Sequence, residues 1–258
     1  MQTRQNKVPT LTKQMLLPFL LVSALFALWG FANAVTDPMV QAFKKVLELS
    51  NSQAAWVQMA FYGGYFCMAL PAAIFVRKYT YKHGIIVGLA LYGIGALLFY
   101  PAAMTEQFWF FCLGLYVLTF GLAFLETTAN PYIIAMGDPA TGTRRLNFAQ
   151  AFNPVGSLLG LLVAQQFVLK KLQSDDIAAF DTLDEIQKIA IRSADLLVIR
   201  DPYVVLGLVV LVYLVIIGLL KMPMSKNKET LPPLGVTLVN LLRKKFHRMG
   251  VLAQVFYV

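Results

Sequence analysis

Six apolar stretches, each about as long as a bilayer is thick, recur along this 258-residue chain and decide what it is able to fold into. A hydrocarbon core about 30 Å thick is crossed by roughly 20 apolar residues in an α-helix. The stretches read as spans over 15–37, 54–76, 84–104, 108–136, 146–169 and 202–222. Residues 16–35 and 54–76 carry no charge, and the third stretch is rich in glycine (Gly84, Gly88, Gly93, Gly95). Lipid offers no water to an unpaired backbone, so each stretch is expected to be helical. The runs are too long and continuous for a β-barrel. The predicted fold class is therefore all-α, a polytopic membrane helix bundle. Composition agrees: 58% of residues are hydrophobic and 14% charged, against about 25% charged in a soluble domain. A soluble enzyme, a disordered chain, collagen and a disulfide scaffold are set aside on that ground.

The net charge of +9 raises the question of a nucleic-acid partner. Its distribution answers it. Fifteen of the basic residues fall in one alternating set of segments: the N-terminal tail, the loops holding Arg77, Lys78, Lys82, Arg144 and Arg145, and the tail after span six. Seven fall in the other set. The positive-inside rule makes the first set cytoplasmic and puts both ends of the unit inside the cell. The charge thus reports topology, and no nucleic acid is expected. Ala32, Asn33 and Ala34 after the first apolar run resemble a signal-peptide cleavage site. The run is long for that purpose, and five more spans follow.

The expected organisation is a cytoplasmic tail over 1–14, a six-helix half over 15–222, a cytoplasmic linker over 223–248, and over 249–258 the start of a seventh helix cut short. Residues 236–247 are basic and amphipathic, as suits a membrane surface. In the 170–201 loop, residues 181–199 are expected to form a short amphipathic helix that buries Ile186, Ile189, Leu196 and Leu197, with the loop's charges solvated. Cys67 and Cys112 lie in apolar stretches and read as small buried hydrophobes.

Two acidic residues lie within spans: Asp37, near the end of the first, and Glu126, inside the fourth. A central acid costs roughly 2.5–3.5 kcal/mol to insert. Its default reading is a proton relay, ion path or substrate ligand; the alternatives are an interhelical hydrogen bond or, for Asp37, a place at the water interface. Trp29, Asn33 and Asp37 share a helical face at i, i+4 and i+8. Glu126 and Asn130 are again four apart. Gln58, Tyr62 and Tyr65 fall at i, i+4 and i+7, and Asn147, Gln150 and Asn153 recur every three residues. Each amide stripe alone suits an interhelical hydrogen bond. Converging, the four would line a wet cavity of amides, carboxylates and aromatic faces, the chemistry a sugar requires. Pro131 after Asn130 and Pro154 after Asn153 place kinks beside polar groups. Gly156 and Gly160 suit close helix packing. The spans hold no Cys/His metal spacing, no nucleophile and base pair and no phosphate loop. Neither metal nor cofactor nor enzymatic activity is expected.

The strings Leu28-Trp29 through Asp37, QMAFYGGYF at 58–66, LETTANP at 125–131 and RLNFAQAFN at 145–153 resemble the L-fucose:proton symporter and glucose/galactose transporter family of the major facilitator superfamily. The resemblance runs from about residue 15 to the end. It implies a fold of two six-helix halves with the sugar between them, so this chain would be the N-terminal half, its partner the missing C-terminal six-helix half. It implies that Asp37 and Glu126 are the membrane carboxylates of proton coupling, that Glu126 also binds sugar, and that Gln150 and Asn153 belong to the sugar cavity. Trp29, Asn33, Gln58, Tyr62 and Asn130 complete the candidate substrate-binding set. Two departures stand out. The family's second asparagine near the first acid is Ala34 here, which bears on which sugar is bound. Arg77 stands where the superfamily's loop after span two carries an acid, which bears on gating.

The function expected is proton-coupled uptake of a neutral monosaccharide, L-fucose first, across a bacterial inner membrane by alternating access. A sodium-coupled glucose/galactose carrier, and a non-transporting half that is inert or pairs with a separate C-terminal half, are the alternatives.

Overall fold

The structure, a computed structural model, describes residues 10–175, 182–223 and 234–257. Helix α1 runs Lys13–Val46, well past the expected end at 37. Pro38 removes one backbone hydrogen bond, yet Met39, Val40, Ala42, Phe43 and Val46 beyond it are buried and hold the helix on course. Asp37 therefore lies in the body of a helix rather than at its end. Helix α2 covers Asn51–Lys78 and starts in a capping box between Ser50 and Gln53. The third span is α3, Tyr81–Leu97, continued by α4, Phe99–Thr105. Helix α5 covers Phe108–Ala135. The fifth span is broken into α6, Gly142–Gln150, and α7, Phe152–Val163, and ends in a π-turn over Ala164–Val168. Six helical segments, Lys13–Val46, Asn51–Lys78, Tyr81–Thr105, Phe108–Ala135, Pro139–Lys171 and Glu185–Leu219, are long and apolar enough to cross a membrane.

The last of these, α8, corrects the expected short helix over 181–199. A single 35-residue helix, Glu185–Leu219, passes through Pro202 without ending; residue 181 lies outside the described residues. Of the four side chains expected to be buried, only Leu196 is. Ile186 is 78% exposed, and Ile189 and Leu197 are exposed too. The buried side is instead Asp195, Leu196, Ile199 and Tyr203. The cause is polar. Asp195, fully buried, accepts the backbone N–H groups of Gln173 and Ser174, both at 2.9 Å. That turns its face of α8 inward, so its charge is not the solvated one expected.

Close helix contacts at glycine organise the bundle, as lipid gives little drive for helices to associate. α1 packs on α7, α3 and α2 on α5, and α3 on α8. A Cβ at Gly156 would sit 1.9 Å from the Ala27 carbonyl oxygen, and one at Gly121 2.3 Å from the Tyr92 nitrogen. Gly156→Ala is expected to force α1 and α7 apart and destabilise the bundle by roughly 1–3 kcal/mol. Gly218→Ala, with nothing within 4 Å of its Cβ, is the control and should be neutral or slightly stabilising. Thermal unfolding in detergent compares the two.

Polar clasps join the helix ends. A left-handed residue follows α1 and α4: Glu48 (φ 49°), just past the Leu47 cap of α1, and Glu106 (φ 54°), the cap of α4. Both carboxylates are held from α8: Arg192 Nη2 donates to Glu48 at 3.2 Å, and the Ser193 hydroxyl donates to Glu106. At the other end of α8, Lys82 donates to the Gly218 and Leu220 carbonyls at 2.7 and 2.8 Å. Among the described residues of a separate C-terminal unit lie two helices, α9, Leu234–Arg243, and α10, Lys245–Tyr257, where the sequence suggested an amphipathic segment over 236–247 followed by the start of a further span from 249. Of the expected linker, 224–233 lie outside the described residues.

Candidate functional site

The candidate residues come from α1, α2, α5 and the broken pair α6 and α7; α3 and α8 contribute none and serve as backing. On α1, Trp29 and Asn33 are half-buried and Asp37 is exposed. The Trp29 indole N–H donates to the Tyr65 hydroxyl of α2 at 2.7 Å. Asn33 is a second side-chain hydrogen-bond neighbour of that hydroxyl, and Glu126 of α5 lies close enough to act on it electrostatically. Glu126 and Trp29 share a narrow crevice lined by Leu25, Phe26, Leu125 and Ala129. Further along α1, Gln58 of α2 donates its amide N–H to Asp37 Oδ1 at 3.2 Å. Both acids thus have a neighbour on α2, reached through a planar polar or aromatic group.

Tyr65, rather than Tyr62, makes the link to Trp29. Tyr62 is 59% exposed and meets its neighbour Phe61 edge-on, with ring centroids 5.5 Å apart. The signal for this lay in Gly64. A Cβ there would lie 1.8 Å from Thr119 Oγ1, so residue 64 faces α5. At 3.6 residues per turn, Tyr65 and Gln58 lie about 100–120° round from it, toward α1, while Tyr62 lies about 160° round, away from α5. Replacing Tyr65 with Phe leaves the indole N–H without its acceptor. A double-mutant cycle of Tyr65→Phe with Trp29→Phe, read by thermal unfolding, is expected to give a coupling of roughly 0.5–1.5 kcal/mol.

Two buried amide oxygens in this region have no donor. Gln58 gives its N–H to Asp37, and its Oε1 is unpaired. Asn130 gives its N–H to the backbone carbonyl of Glu126 at 3.0 Å, and its Oδ1 is unpaired. Buried acceptors are ordinarily satisfied, so these two are open to an incoming O–H or N–H.

Gln150 and Asn147 are exposed on α6, and Asn153 is half-buried at the start of α7. The Asn153 backbone carbonyl presses against Gly30, the residue after Trp29; a Cβ on Gly30 would sit 2.1 Å from it. Ser157 Oγ bridges the two, lying 3.3 Å from the Gly30 carbonyl and 3.2 Å from that of Asn153. The break between α6 and α7 is thereby fixed against α1 at the level of Trp29. Among the described residues no group of three His, Cys, Asp or Glu side chains is placed to hold a metal. Cys112 is buried as expected, whereas Cys67 is exposed on α2.

Sequence reasoning missed Arg145. Counted as a loop charge, it is 1% exposed. Its guanidinium donates to the carbonyls of Ile133 (3.1 Å), Ile134 (2.7 Å), Asp138 (3.2 Å) and Thr10 (3.1 Å) and to the Thr141 hydroxyl (2.6 Å). A helix leaves its last four carbonyls without intrahelical donors and its C-terminus partly negative. Arg145 meets both needs at the end of α5, the helix that carries Glu126.

The sequence profile of the Major Facilitator Superfamily matches residues 19–258. The L-fucose-proton symporter of Haemophilus influenzae is 58% identical over 254 residues, which are 96% of this chain and 59% of that protein. The L-fucose-proton symporter of Escherichia coli is 36% identical over 251 residues, covering 96% of this chain and 57% of that one. A crystal structure of the E. coli fucose:proton symporter superposes with a TM-score of 0.79 at 34% identity, over 94% of this chain and 59% of the other. The chain therefore spans less than two thirds of the length of the relatives it matches.

Proposed function

The chain belongs to the Major Facilitator Superfamily, and on that premise we propose that it is the sugar- and proton-handling six-helix half of a symporter that imports a neutral hexose, L-fucose foremost. The relatives named above carry L-fucose and proton in their names, which supports both the sugar and the ion. The observation that carries the reading is the pair of donor-free amide oxygens, Gln58 Oε1 and Asn130 Oδ1, set beside Asp37 and Glu126 respectively. A sugar is dense in O–H donors and has an apolar C–H side.

In this reading the Trp29 ring takes the apolar side of the sugar. Asn33, Gln58, Asn130, Gln150 and Asn153 bond its hydroxyls, and Tyr62 edges the open rim. Asp37 and Glu126 carry the transported proton. A charged acid resists being enclosed away from water. Protonation removes that cost, so the site closes over sugar and proton together and reopens to the opposite side for release. The C-terminal half supplies the facing wall, against which this half rocks. The basic bias of one loop set supports a cytoplasmic N-terminus in a bacterial inner membrane.

The test is a fusion. Joined in frame to the C-terminal remainder of the H. influenzae symporter, the chain is expected to accumulate labelled L-fucose in cells that lack their own uptake. Accumulation should survive replacement of sodium by choline and vanish with a protonophore. Loss of uptake in choline would favour sodium coupling. No uptake beside a working parent symporter would refute the assignment.

A further inference from the structure

Away from the polar face, an apolar groove of about 750 Å³ runs between α1, α7 and α8. Its origin is visible in the packing. α1 packs closely on α7, and α8 packs mainly on α3 and only lightly on α1; Val198 and Pro202, which has no N–H for the Val198 carbonyl one turn earlier, line the groove left between them. Tyr213 closes the far end by donating to the Leu21 carbonyl. The walls are aliphatic: Leu159, Val163, Val205 and Val209 face into it, and Leu159, Val205 and Val209 are each half exposed or more.

The groove has one charged end. Lys171 and Asp201 line its mouth. The Lys171 ammonium rests over the Phe167 ring, 5.4 Å from its centroid, and Asp201 is held by Arg200 at 2.6 Å. Arg200, which does not line the groove, takes up the charge of Asp201, so Lys171 is the cation that the mouth presents. Lys171 is also the last residue of the segment Pro139–Lys171, so the mouth lies where the helix leaves the hydrocarbon. The π-turn over Ala164–Val168 takes in an extra residue per turn, which keeps Val163, Phe167 and Lys171 in line along the groove. From Gly156 to Lys171 the wall is about 22 Å long at about 1.5 Å per residue, more than the roughly 15 Å of one leaflet's hydrocarbon.

We propose that this groove is a binding site for a single glycerophospholipid, its phosphate on Lys171 and an acyl chain along Leu159, Val163, Val205 and Val209. The shape, the aliphatic walls and the cationic mouth at interface depth match an amphiphile with one anionic head and a long tail. A dry apolar void of this size in a membrane forfeits dispersion contacts that an acyl chain supplies. The site is separate from the polar face, and the inference does not depend on the transported solute.

Native mass spectrometry of the purified 258-residue chain, released from detergent after titration with dioleoylphosphatidylglycerol, tests it. The wild-type chain is expected to retain one lipid in preference to further ones. Lys171→Glu reverses the charge at an exposed position and should weaken that first binding roughly tenfold. Val205→Trp fills the groove and should abolish it, with the thermal unfolding midpoint as a folding control. Equal retention by wild type and both variants overturns the proposal. Loss in Val205→Trp with none in Lys171→Glu overturns the phosphate assignment. A wild-type chain that is dimeric and becomes monomeric in Val205→Trp makes a second copy the occupant and overturns the lipid.

Discussion

Arg145→Met is expected to destabilise the six-helix unit by about 3–5 kcal/mol, or to prevent its accumulation as a folded protein. Methionine matches the volume but offers no donor. It removes the donor from three carbonyls at and after the end of α5, from the Thr141 hydroxyl and from the Thr10 carbonyl, of which the Ile133 carbonyl and the Thr141 hydroxyl are the buried ones. Each buried acceptor left alone costs roughly 1–3 kcal/mol, and partial relaxation keeps the sum below the simple total. Arg145→Lys should recover only part of the loss, because an ammonium has three donors and no planar fork with which to reach five acceptors. Thermal and denaturant unfolding in detergent measures both. A methionine variant within about 1 kcal/mol of wild type would show that the guanidinium is dispensable.

Glu126→Gln is expected to uncouple sugar movement from the proton gradient while leaving the sugar path open. Glutamine keeps the size of the side chain and its place in the crevice beside Trp29, but it cannot gain or lose a proton near neutral pH. One proton moved with each sugar is worth about 2.3 kcal/mol per 100 mV, which is about 50-fold accumulation. In vesicles containing the fusion protein and held at that potential, the inside-to-outside ratio of L-fucose should fall from about 50 to about 1 with Glu126→Gln. Exchange of labelled for unlabelled sugar should continue. Retained accumulation would remove Glu126 from coupling.

The spans were legible because lipid imposes a length and an apolar composition that few other environments demand. What sequence alone did not reveal are decisions taken between helices. The apolar pattern ends the first span before Pro38 and begins the sixth at Pro202, but α1 and α8 continue through both prolines, with buried residues beyond Pro38 and the Asp195 clasp before Pro202 anchoring the extensions. Arg144 and Arg145 read alike as loop charges, and only the position of the end of α5 decides that Arg145 turns inward. Tyr62 and Tyr65 lie about 60° apart on one helix face, and the docking of Gly64 on Thr119 selects between them. The polar stripes were legible as stripes, and Trp29, Asn33 and Glu126 meet around Tyr65. That Gln58 and Asn130 each keep one oxygen buried and unpaired needed coordinates, since it depends on which neighbour takes each N–H.

The central claim, that Asp37 and Glu126 carry a proton with each sugar, is tested most directly with a pH electrode. L-fucose added to lightly buffered, de-energised cells carrying the fusion protein should turn the medium transiently alkaline, with about one proton taken up per sugar. The same addition to cells carrying the Glu126→Gln variant should leave the pH unchanged. Fucose entry in the unsubstituted fusion with no proton uptake, or an undiminished alkaline shift when both carboxylates are replaced by their amides, would contradict the account.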